Sequence, residues 1–231
     1  MQAENIESTI KSLIDKAVTI DPNLAKRLDD IRRWVKGVKP GSLKAKPYLM
    51  LFLRQVISDA DVWLKLKSLA SEEEQQSALD ALKPALKYWY GYLFPKWWSE
   101  NDPKFYIWRR ELMAGEFNQE DATLINSIIN IIKQSGGTVV QRYIVDLSMA
   151  TDIIVSSTQE QPLCVQLTSL SQEIYLEKSI KWENTLLFWG MERGLFLSYN
   201  PGTTDYVNQI VNLALDSSDH IQTGIYLKLN L

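Results

Sequence analysis

The residues best placed to do chemistry sit on two neighbouring extended segments. Thr151-Asp152-Ile153-Ile154-Val155 is followed by a short polar turn and then by Leu163-Cys164-Val165-Gln166-Leu167-Thr168-Ser169. The β-branched and apolar character of both runs predicts a β-hairpin with one carboxylate on its first strand and a Gln-x-Thr on its second. A hard cation such as Mg²⁺ wants carboxylate oxygens, and this hairpin supplies one carboxylate. A strand-end Asp after Ala-Thr also serves simply as a turn cap. Gln166 and Thr168 alternate with Val165 and Leu167, as on any half-exposed strand.

Other chemistries are narrowed by residue counts. A single histidine, His220, excludes His-rich metal sites and makes a Ser-His-Asp triad a poor fit. A single cysteine, Cys164, excludes an internal disulfide and fits a reducing compartment. It lies between apolar neighbours, as a small core residue does. Gly136-Gly137 follows a helical segment and precedes an extended one, the reverse of a dinucleotide or phosphate-loop arrangement.

The elements that position the hairpin change character along the chain. Up to about residue 115 the apolar spacing is helical. Ile6, Ile10, Leu13, Ile14 and Ala17 mark a first helix. Asp21-Pro22 caps a second that Gly37 closes. Leu49, Phe52, Val56 and Trp63 face inward on a third, and the Ser71-x-x-Glu74 capping box starts a fourth. Pro84 ends or kinks that helix, and Asp102-Pro103 opens a fifth. Beyond Gly115, a helix through Leu124, Ile125, Ile128, Ile129 and Ile132 precedes an extended stretch from Thr138 to Asp146. The two hairpin strands come next. A helix follows through Leu176, Ile180, Leu187 and Phe188, then a strand over 194–199, a helix from Thr204 and a strand over 221–231. The order in this half is α-β-β-β-α-β-α-β. A helical domain over 1–115 and an α/β domain over 116–231 are expected.

That order, with an acid on the second strand and a polar-x-polar triplet on the third, resembles the PD-(D/E)XK (restriction-endonuclease-like) nuclease superfamily over about residues 117–200. The resemblance implies an αβββαβ core after the N-terminal helical bundle, an α+β or α/β fold. It also implies a Mg²⁺-dependent site if the protein cuts. Asp152 then matches the strand-two acid. Gln166 stands at the second acid and completes the metal shell with Asp152, and Thr168 stands at the lysine. Lys178 or Lys181 of the next helix would replace that lysine, and Glu120, with Glu116 and Glu111 upstream, would supply an extra acid. Loss of the lysine implies a degenerate core that binds rather than cleaves.

Charge offers a second candidate surface. Residues 1–100 carry 16 Lys/Arg against 13 Asp/Glu, whereas residues 101–231 carry 9 against 15. Arg32, Arg33, Lys36, Lys39, Lys44 and Lys46 fall in a basic stretch, residues 26–54, whose only acids are Asp29 and Asp30. Such a surface could follow a DNA or RNA backbone; it is equally the solvated face of a helical bundle. The Trp-rich segment from Tyr88 to Trp98 is expected as core, or else as a docking patch for a protein partner. The longest apolar run, Tyr48 to Leu53, is far short of the ~20 residues that span a bilayer. No membrane association and a cytoplasmic location are expected.

Overall fold

The computed structural model describes residues 2–117, 121–169 and 172–231. It is a mixed α and β protein that divides into two compact units, Met1–Leu82 with Tyr90–Asn118, and Lys83–Trp89 with Gln119–Leu231. The short segment 83–89 therefore groups with the sheet although it lies in the middle of the helical half.

The first unit contains α1 (Ile6–Ile20), α2 (Pro22–Val35), α3 (Pro40–Lys44), α4 (Pro47–Lys67) and α5 (Glu72–Asp80). After α6 (Pro84–Tyr88) of the second unit, it resumes through a π-helical turn at Trp89–Leu93 with α7 (Phe94–Ser99) and α8 (Phe105–Ala114). Pro95 has no N–H to bond the carbonyl four residues back, which fits the wider turn before it. Helix boundaries follow local chemistry. Asp21 Oδ1 accepts the Leu24 amide at the start of α2, and Gly37 closes that helix at φ +74°. Ser71 Oγ accepts the Glu74 amide while Glu74 reaches back to the Ala70 amide.

Aromatic rings fill this unit. Trp34 packs against Phe105 and Trp108 with centroids 5.1 and 5.4 Å apart. Buried carboxylates anchor the polar atoms of the rings. Asp102 accepts the indole N–H of Trp108 at 3.2 Å and of Trp97 at 3.4 Å, and Asp59 accepts the Tyr90 hydroxyl at 2.8 Å. Trp34, Trp63, Trp97, Trp98 and Trp108 are all buried, so these rings form core and offer no docking patch.

The second unit continues with α9 (Ala122–Gln134), β1 (Thr138–Val140), α10 (Tyr143–Met149), β2 (Ile153–Ser156), β3 (Leu163–Thr168), α11 (Gln172–Trp189), β4 (Arg193–Ser198), α12 (Tyr206–His220) and β5 (Ile225–Asn230). The sheet order is β1-β2-β3-β4-β5, with β1, β2 and β3 antiparallel in turn and β3, β4 and β5 parallel. Parallel neighbours require a crossover, and α11 and α12 supply it.

Side chains alternate between the two faces. Ile153, Val155, Val165, Leu167, Leu195 and Leu197 pack with Ile125, Ile128 and Ile132 of α9 and Ile210, Val211 and Ala214 of α12. On the other face Phe196 meets Trp182 of α11 at 5.4 Å. A Cβ at Gly194 would lie 2.4 Å from Leu186 and 2.8 Å from Trp182, so only glycine admits α11 this close.

Two expectations are corrected here. The extended reading of Thr138 to Asp146 holds only for 138–140. Residues 143–149 form α10 instead, burying Ile144, Val145, Ser148 and Met149 at helical spacing. Ala150 at φ +50° ends it, and Trp189 Nε1 donates to the Ser148 carbonyl that the helix end leaves open. On α11 the inward residues are Trp182, Leu186 and Trp189. Leu176, Ile180, Leu187 and Phe188, whose spacing marked the helix, are 65, 48, 56 and 50% exposed.

Candidate functional site

Asp152 stands immediately before β2, and continuing the β2–β3 register by one residue places it across from Gln166 on β3. Its amide donates to the Val165 carbonyl at 2.9 Å. Its Oδ2 accepts the Leu167 amide at 2.6 Å and Gln166 Nε2 at 2.8 Å. The carboxylate thus takes over the backbone ladder where β2 begins. Gln166 Nε2 also donates to the Leu167 carbonyl at 3.1 Å. With an acceptor at each of those positions, the amide nitrogen and not the oxygen must face Asp152.

Burial holds the Asp152 carboxyl well above the ordinary carboxylate range, with Asp146 and then Asp121 adding like-charge repulsion. The Leu167 amide and the Gln166 side chain oppose that rise without cancelling it. Asp121 stands immediately before α9, where its Oδ1 accepts the Tyr199 hydroxyl at 2.9 Å. Tyr199 follows β4, its amide donates to the Thr168 carbonyl at 2.9 Å, and its ring stacks on Tyr206. Burial first, then the bond to Asp121, raises the Tyr199 hydroxyl above its ordinary range.

The arrangement does not fit Mg²⁺. One oxygen of the Asp152 carboxylate is committed to two protein donors, and the amide opposite presents N–H where a metal needs an oxygen. Among the described residues no group of three or more His, Cys, Asp or Glu side chains is placed to hold a metal ion. What the pair can do is accept and hold a proton in a buried, hydrogen-bonded setting.

The other sequence-derived candidates fall as follows. Thr168 is half-buried on β3, two residues beyond Gln166. Lys178 and Lys181 are exposed on α11, and Lys181 Nζ pairs with Glu177 at 2.6 Å. Glu120 lies outside the described residues, and Glu111 and Glu116 belong to the first unit. Asp121, Asp146 and Tyr199 are the groups that sequence reasoning missed. Asp121 adjoins Glu120, the acid the resemblance points to, and Asp146 ends the stretch whose composition predicts a strand.

No family model, curated protein or solved structure matches the chain.

In the basic segment Arg32, Arg33 and Lys44 pair with acids. Arg32 pairs with Asp29 at 2.9 Å and with Glu7 at 3.7 Å, and Arg33 pairs with Asp29 and Asp30. Lys44 pairs with Glu4 at 2.7 Å, and Lys46 donates to the Met113 carbonyl. Lys36 and Lys39 are exposed. No helix among the described residues is long and apolar enough to cross a membrane.

Proposed function

We propose that the protein binds nucleic acid without cutting it, with the second unit as a degenerate PD-(D/E)XK-like core and the basic segment of the first unit as the contact surface. One observation carries this reading. The strand-two carboxylate and the strand-three polar residue face each other as they would in such a core, yet Gln166 gives Asp152 an N–H donor in place of a shared metal. The order α9, three antiparallel strands, α11 and a parallel β4 supports it. With Gln166 at the second acid position and Thr168 at the lysine position, these two side chains supply neither the carboxylate nor the cation that would help balance the charge developing on a phosphodiester during hydrolysis.

Binding in this reading draws on Arg33, Lys36 and Lys39, whose side chains are exposed around the end of α2 and the loop that follows it. Fluorescence anisotropy with labelled DNA and RNA oligonucleotides tests it. Affinity should fall steeply with salt, and replacing Arg33, Lys36 and Lys39 by Ala should flatten the slope by about one unit for each phosphate left without its cation. Undetectable binding of both oligonucleotides at low salt contradicts the reading.

A further inference from the structure

The second unit also contains a cavity of about 410 Å³, lined by Lys83, Ala85 and Leu86 of the α6 segment, Asn126, Ile129 and Lys133 of α9, and the stretch from Gly137 to Arg142. Its size falls within the roughly 300–1,000 Å³ of small-molecule sites. Three cationic side chains line it and no acidic one does. Neither Lys83 nor Lys133 has an ion-pair partner among the described residues. Arg142 is half-buried, with its guanidinium 5.9 Å over the Trp89 ring and Nη1 donating to the Gln141 carbonyl. That stacking restrains a side chain that would otherwise lose several rotamers on binding.

The remaining wall divides by polarity. Leu86, Ile129, Val139 and Val140 offer apolar surface, while Asn126 and Gln141 offer amide groups. β1 is the edge strand of the sheet, so the cavity also borders a backbone edge that pairs with no further strand among the described residues. A pocket lined by three cations and an apolar wall matches a ligand that has a phosphate at one end and a ring at the other. By contrast the cavity of similar volume in the first unit mixes Lys26 and Arg27 with Asp30 and Glu100, which leaves little net charge for an anion.

The geometry points to a binding site for a small phosphorylated molecule of mononucleotide size, its phosphate held by Lys83, Lys133 and Arg142. Lys83 and Lys133 supply mobile ammonium groups, and Arg142 supplies the planar fork. The site does not depend on the nuclease-like reading, because none of its lining residues belongs to the Asp152–Gln166 pair.

Isothermal titration of the full chain with AMP, inorganic phosphate and adenosine, at matched ionic strength, tests the assignment. AMP should bind saturably, phosphate more weakly, and adenosine not measurably. Lys83→Gln with Lys133→Gln should weaken AMP by about tenfold or more, through removal of two charge-assisted hydrogen bonds. Both lysines are exposed, so this variant should melt with wild type. Lys87→Gln, on the same short helix but outside the cavity lining, should bind AMP unchanged. Absent AMP binding, equal binding of adenosine, or undiminished affinity in the double variant overturns the assignment. So does binding confined to an oligonucleotide, which would make these residues part of an extended nucleic-acid surface instead.

Discussion

Asp152 and Gln166 face each other across β2 and β3, with the amide nitrogen 2.8 Å from the carboxylate oxygen. That one bond decides what the sheet end can do. An amide donor steadies a buried carboxyl group but leaves no shared oxygen pair for a metal.

The raised carboxyl of Asp152 makes stability depend on pH. A carboxyl that titrates higher folded than unfolded contributes stability fully below the unfolded value, about 4, and loses it as pH rises through the folded value. Asp152→Asn keeps one acceptor and removes the charge. It should therefore be more stable than wild type at neutral pH, with the advantage vanishing in acid. Thermal melts from pH 4 to 8 read this directly. A difference that stays flat with pH contradicts the assignment.

Gln166→Glu replaces the donor with a second carboxyl group and leaves Oδ2 of Asp152 with the Leu167 amide alone, beside another acid in a buried setting. We expect a loss of roughly 1–3 kcal/mol at neutral pH. Mn²⁺ or Mg²⁺ should recover part of it in the variant, because the oxygen pair is then restored, and should leave wild type unmoved. Chemical denaturation with and without metal measures both arms.

Arg193 binds four backbone carbonyls and was not singled out by its sequence. It donates to Ile221, Ser218, Ser217 and Pro162, so it closes the C-terminal end of α12 and ties that helix to the turn before β3. Arg193→Met should destabilise by roughly 2–4 kcal/mol, since it leaves buried carbonyls without donors and removes a cation from a helix C-terminus. Urea unfolding gives the value; a loss under about 1 kcal/mol would mean that water replaces the guanidinium there.

Cys164 is buried on β3, where burial pushes its thiol up to about 12. It should resist a thiol reagent at pH 8 in the folded protein and react promptly in denaturant. Fast reaction of the native protein would show that this strand opens on its own.

The fold was readable wherever one face of an element is apolar and the other polar. Ile125, Ile128 and Ile132 on α9 and Ile210 and Val211 on α12 show the expected period, and all five are buried. The period failed on α11, which is apolar on two sides, so Leu176 and Ile180 mark the helix but not its inner face. It failed again at 143–149, where β-branched residues suggested a strand. Helical packing of Ile144 and Val145 outweighed that preference. Of the candidate site, Asp152 and Gln166 were legible because both sit beside a strand pattern. Asp121 and Tyr199 were not, because 78 residues separate them and only the fold joins their side chains.

The most direct measurement is incubation of plasmid DNA and structured RNA with the wild-type protein in Mg²⁺ and in Mn²⁺, beside Asp152→Ala. Both substrates should remain intact with either protein. Metal-dependent cleavage by wild type that disappears in Asp152→Ala would contradict it and would make Asp152 a metal ligand after all.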